Sequence, residues 1–161
     1  MAVWVIKGGE FGEREQRMLD NNLIACSWNK LPDISDCRTR DEITKAYRDA
    51  YPNAEGRTIT SHVAQLNAFR HTAVPDDLVV LPLKKKGLAI GVITGDYTYS
   101  TNLGNDFNHT RSVNWLHKNV SRDIFDQDIL YSFGSFLGFC QVRRNDAERR
   151  IRKIVEALTA D

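Results

Sequence analysis

Little in the sequence could build a crosslink or a metal cage. Its three cysteines, Cys26, Cys37 and Cys140, show no CxxC spacing. Neither a disulfide framework nor a zinc site is expected, and a reducing cytoplasmic setting fits best. There is no run of about 18 apolar residues, the length a membrane-spanning helix needs. The N-terminal MAVWVIKGGE lacks a basic segment leading into a long apolar stretch, so neither a signal peptide nor a membrane partner is expected. An excess of one charge is missing too. Lys and Arg total 22 against 21 Asp and Glu, a net charge of +1, so any nucleic-acid binding has to come from local patches. No GxxxxGKS/T phosphate loop, internal repeat or low-complexity segment is present.

What is there fits one domain, since 161 residues can bury a sizeable core. The chain is organised around Asp77 to Ser100. Leu78, Val79, Val80, Leu81 and Leu83 form one short apolar run, and Leu88 to Ile93 another, broken only by Gly91. Between them lies the turn Lys84, Lys85, Lys86, Gly87. This predicts a buried β-hairpin in the middle of a sheet or the wall of a barrel. The lysine cluster at its tip reads either as a solvated turn that discourages edge pairing or as a phosphate contact.

Upstream, Ala2 to Lys7 predicts a strand that enters Gly8 and Gly9, either a plain turn or a close backbone approach to a ligand. Leu23 to Trp28 predicts a second strand. Trp28, flanked by Ser27 and Asn29 and followed by a Pro-containing loop, reads either as the aromatic wall of a base pocket or as a core-edge Trp. Thr39 to Glu42 is a capping box opening a helix with Ile43, Ala46, Tyr47 and Ala50 on one stripe. A second helix is expected from near Thr60 or Ser61 to about His71. Its His62 and His71 are nine residues apart and not on one face, so no metal site is expected. Downstream, His109 to Trp115 alternates as a strand, with His109, Arg111, Val113 and Trp115 on one face. A short helix over Asp126–Phe133, an apolar strand or short helix over Phe136–Val142, and a basic amphipathic helix over 144–161 complete the chain.

Taken in order, WVIKGG, ACSWNKL, LAIGVITGDYTYS and HTRSVNWL resemble the PUA-like superfamily, and within it the EVE and YTH domains. The likeness extends to the EVE-like N-terminal domain of predicted Mrr-type restriction endonucleases and covers roughly Ala2 to Val142. It implies an α+β fold, a small, partly open mixed β-barrel flanked by helices. It also implies a pocket for a flipped, modified base, walled by Trp28, with Gly8, Gly9 and Glu10 lining it and Tyr97 or Tyr99 opposite. It implies His109 and Arg111 as rim or phosphate contacts, beside which the Lys84 to Lys86 turn is the other candidate for the nucleic-acid backbone. The chain departs from the restriction-enzyme relatives at Asn67, where a second Trp is expected.

The expected function is recognition of a modified base, a modified cytosine foremost, in double-stranded DNA. Residues 1–143 would form the reading domain, and residues 144–161 a linker to a fused nuclease domain. No cofactor and no enzyme activity are expected of this chain, since no PD-(D/E)xK-like string and no nucleophile–base pair is visible. The alternatives are an RNA- or nucleotide-binding module, a small enzyme using His109, Glu10 or Cys26, and an interaction domain with Trp28 in its core.

Overall fold

A computed structural model of the protein describes residues 1–135 and 137–160. Six strands form one mixed sheet in the order β2-β5-β4-β3-β1-β6. They are β1 (Val3–Ile6), β2 (Leu23–Cys26), β3 (Leu78–Pro82), β4 (Leu88–Tyr99), β5 (His109–Val120) and β6 (Phe139–Gln141). Only β1 and β3 run parallel; the other neighbours are antiparallel. The sheet is open, with β2 and β6 at its edges. This is the α+β, helix-flanked architecture expected of the chain. The β3–β4 hairpin lies at its centre, and β4 runs well past Ile93, the end of the expected apolar run.

Both faces of the sheet are covered because its inner strands are apolar on both sides. One face carries Trp4, Ile6, Val79, Leu81, Ala89 and Val113. It packs against α1 (Glu15–Asn21), α2 (Arg40–Ala50) and α3 (Gly56–Asn67) through Met18, Ile43, Tyr47, Val63 and Leu66. The other face carries Val3, Val5, Leu78, Val80 and Ile90. It packs against α4 (Gln127–Ser132) and α5 (Ala147–Ala160) through Ile129, Ala147, Ile151 and Val155. The basic C-terminal helix is thus seated on the domain along its apolar stripe. Among the described residues no helix is long and apolar enough to cross a membrane.

Three local devices fix the placement of the helices and of β1. Thr39 accepts the backbone N–H of Glu42 (3.2 Å), so the capping box starts α2 as its sequence dictates. Asp77, buried between β1 and β3, accepts the indole N–H of Trp4 (2.9 Å) and the backbone N–H groups of Ala2 (2.9 Å) and Val74 (3.0 Å). Finally, α3 begins four residues before Thr60 and ends in a π-helical turn, Ala68–Thr72. The apolar segment expected over Phe136–Val142 contains β6; Phe136 itself lies outside the described residues.

Candidate functional site: a cavity walled by Trp28

Strand β2 ends at Cys26, and Ser27 and Trp28 leave the sheet beside the C-terminal half of α3, at His62 and Gln65. There they line a cavity of about 250 Å³ with Lys7, Arg14, Ala25, Cys26, His62, Gln65 and Gly138. Trp28 is half-buried. Its indole N–H donates to Nδ1 of His62 (3.1 Å), and the hydroxyl of Tyr47 lies 2.7 Å from the same nitrogen. An indole N–H can only donate, so Nδ1 is the unprotonated nitrogen and the neutral ring carries its proton on Nε2. Burial lowers the His62 pKa, which favours this neutral form. The two rings meet edge to face at 5.3 Å between centroids, so the indole is fixed by an acceptor and by packing.

The cavity's other groups are mostly donors. Lys7, at the end of β1, is half-buried and donates to the carbonyl of Phe133. Burial, with Lys84 and Arg122 nearby, lowers its pKa. Arg14, from the loop before α1, keeps only a long contact with Glu13 (3.7 Å), and its Nε–H has no partner among the described residues. Gln65 turns its side-chain oxygen to the N–H of Gly138 (2.9 Å), and its NH₂ end donates back along α3 in long bonds to the hydroxyl (3.4 Å) and carbonyl (3.5 Å) of Ser61. Among the described residues no carboxylate lines the cavity. Such a site favours a flat ring with an acceptor-rich edge. Burial pushes the Cys26 thiol up to about 12, so it is a small apolar wall and not a nucleophile at neutral pH.

Lys7 also lines a second, smaller cavity of about 190 Å³ with Gly8, Gly9, Glu15, Lys84 and Arg122. The residues singled out in sequence therefore separate into groups. Trp28 and Ser27 share the larger cavity, while Gly8, Gly9 and Lys84 share the smaller one beside it. Glu10 and Asn29 are exposed and line neither. Lys85 and Lys86 stand exposed at the hairpin tip.

Four expected contacts lie beneath the site and not in it. Tyr97 is buried, its hydroxyl 2.6 Å from Nδ1 of His109 and accepting the N–H of Ile34 (3.3 Å). The other nitrogen of His109, Nε2, donates to the carbonyl of Trp28 (3.1 Å), and Tyr99 packs edge-on against the same imidazole (5.3 Å). Tyr97 and Tyr99 thus do not face Trp28 across the cavity; they pack with His109, which holds the Trp28 backbone from below. Arg111 is fully buried. Its guanidinium donates to the carbonyls of Gly95 (2.8 Å), Phe69 (2.8 Å) and Ala73 (2.7 Å). With 0% and 1% exposure respectively, His109 and Arg111 cannot reach a phosphate. Alternation along β5 placed them on one face correctly, but that face is the inner one.

The residues that sequence reading missed are His62, Arg14, Lys7 and Gln65. His62 sits close to the residue where α3 was expected to start, and only the tertiary approach of α3 to Trp28 gives it a role. Asn67, the departure from the expected pattern, lines a separate groove between α3 and β6 and not the Trp28 cavity.

The chain is an α+β domain with a half-buried tryptophan walling a donor-lined pocket. The chain belongs to a family described as a domain of unknown function, DUF8426, matched over residues 4–132. No curated protein matches it. Among solved structures it is similar to the Mmi1 YTH domain in complex with RNA, at 5% identity and a TM-score of 0.51, covering 97% of this chain and 78% of that one. A second structure of the Mmi1 YTH domain gives 9% identity and a TM-score of 0.49, covering 98% and 97%. A hypothetical protein from Leishmania major gives 10% and 0.41, covering 98% and 96%.

Proposed function

We propose that the chain is a nucleic-acid-binding domain that takes a modified base, flipped out of double-stranded DNA, into the Trp28 cavity. The observation that carries this is the fixed indole of Trp28 over a cavity lined by donors, with no carboxylate among the described residues that line it. At about 250 Å³ the cavity lies below the ~300–1,000 Å³ of sites for drug-sized ligands, and suits a single heterocycle. Cytosine presents O2 and N3 as acceptors, which complement the donors of Lys7 and Arg14. A methyl-type substituent on the ring would pack on Ala25, Cys26 and the indole. We further propose that this reader is the specificity module of a modification-dependent restriction system. Residues 1–143 would do the reading, and residues 144–161 would join it to a nuclease domain. The competing reading is a single-stranded RNA reader, because the YTH structure that shares this fold is a complex with RNA.

The test is binding of fluorescent duplexes carrying unmodified cytosine, 5-methylcytosine, 5-hydroxymethylcytosine or 6-methyladenine, with a single-stranded RNA series beside them. Wild type is compared with Trp28→Ala, folding being checked by circular dichroism. Base–aromatic stacking is worth ~1–3 kcal/mol, so folded Trp28→Ala should lose roughly five- to 150-fold in affinity for the preferred duplex and little for the others. Equal, weak, salt-sensitive binding to every duplex would sink the DNA reading, and preference for the RNA series would replace it.

A further inference from the structure

The loop between β1 and α1 carries a residue that the cavity alone does not explain. Phe11 is 81% exposed, the most exposed of the large hydrophobic side chains among the described residues. It stands between Gly8–Gly9, which line the smaller cavity, and Arg14, which lines the Trp28 cavity. Three residues span at most about 11 Å, so its Cα lies within that distance of both rims.

The loop that presents it is pinned. The N–H of Phe11 donates to Oε2 of Glu13 (3.0 Å), that of Gly12 to the Gly9 carbonyl (3.2 Å), and that of Arg14 to the Gly8 carbonyl (2.7 Å). Gly9 and Gly12 have φ of 105° and 74°, a left-handed backbone that favours glycine. A Cβ on Gly12 would come within 2.9 Å of the Lys84 side chain, so the loop tip sits against the hairpin tip. Glu13 is turned onto the loop's own N–H groups, and Lys7, Arg14 and Lys84 bring positive charge to the loop's flanks.

We propose that Phe11 is a wedge that enters the base stack of duplex DNA and fills the place vacated by the base held in the Trp28 cavity. This rests on the base-reading function proposed for that cavity and adds to it the form of the nucleic acid. An apolar side chain inserted at a base step unstacks it and holds it open. Extrusion of a paired base costs free energy that a mismatched or single-stranded base does not. A wedge is therefore useful only where the target base has a partner strand. Its flat ring stacks on either neighbouring base without regard to sequence, so it adds affinity but no selectivity for the modification.

The experiment measures affinity of wild type, Phe11→Ala and Phe11→Leu for three probes of one sequence containing 5-methylcytosine. These are the fully paired duplex, the duplex with an abasic site opposite the modified base, and the single strand. Phe11→Ala should weaken binding to the paired duplex about tenfold and leave the other two within twofold, and Phe11→Leu should recover part of the loss. In a paired duplex with 2-aminopurine beside the target, the fluorescence rise on binding should be smaller for Phe11→Ala than for wild type. Equal losses on all three probes, or no loss on the paired duplex, would overturn the wedge. Failure of the base-reading function itself is visible separately, as the absence in wild type of any preference for modified over unmodified duplex. The ratio of paired to abasic affinity still decides the role of Phe11 in that case.

Discussion

Arg111→Met separates a buried strut from a phosphate contact. Met removes the guanidinium while filling much of the same volume. The three carbonyls it served, on Gly95, Phe69 and Ala73, lie around a fully buried side chain and lose their donor together. A buried acceptor left unsatisfied costs ~1–3 kcal/mol. Some of that returns because a charge no longer has to be desolvated, an effect of several kcal/mol per ion before its hydrogen bonds are counted. With about 2 kcal/mol for each carbonyl the gross loss is about 6 kcal/mol, and a return of about 3 leaves a net loss of about 3 kcal/mol, a large share of the ~5–15 kcal/mol of a typical domain. In a chain of this size each kcal/mol lowers Tm by ~2–4 °C, so the expected fall is roughly 6–12 °C. Urea unfolding followed by tryptophan fluorescence gives the free energy, and duplex binding below the transition should match wild type. Unchanged stability with weakened binding of every duplex would refute the reasoning and return Arg111 to the surface.

His109 makes stability pH-dependent in a defined window. Burial lowers its folded pKa below the ordinary 6.5, so below pH 6.5 the unfolded chain takes up a proton that the folded chain does not. Stability should therefore be complete above pH 6.5 and fall as pH drops from there to the folded pKa, by at most ~1.4 kcal/mol per pH unit. Urea titrations from pH 7.5 to 5 should show a shallower decline for His109→Gln, and parallel profiles would reject the assignment. Cys26 should be the last of the three thiols to alkylate with iodoacetamide at pH 7.5, because its thiol is buried and its pKa is raised to about 12. Peptide mass spectrometry finding Cys26 labelled ahead of Cys37 and Cys140 would contradict this, and would bring back a nucleophilic role for it.

The parts of the fold legible in the sequence were those whose signal is local. The Thr39 capping box, the paired apolar runs of the β3–β4 hairpin and the alternation from His109 to Trp115 each state a backbone period or a cap within a few residues. Helix α1 escaped because it is seven residues long and buries only Met18 and Leu19, too few for a stripe to stand out among charges. For the site, Trp28 was visible as an aromatic at a strand end, whereas its partner His62 was not. A hydrogen bond between residues 28 and 62 leaves no trace in either segment's periodicity. Arg111 shows a different limit. Alternation says which residues share a face, and composition then suggests that a face with His and Arg is wet. Three backbone carbonyls, two of them at the π-helical end of α3, make it dry.

The place of β1 inside the sheet bears on how the chain can be made and cut. Val3 pairs with Leu78, and Val5 pairs with Cys140. An emerging chain therefore holds an interior strand with neither neighbour until the hairpin has been synthesised, and with one open flank until β6 is made. Closing contacts so distant in sequence is slow, and the waiting strand is a sticky apolar edge. A fragment trimmed at residue 132, where the family match ends, would keep that flank open permanently and lose Phe139, whose ring stacks on Trp4 at 4.8 Å. Expression of the minimal family segment should yield aggregate where residues 1–160 yield monodisperse protein.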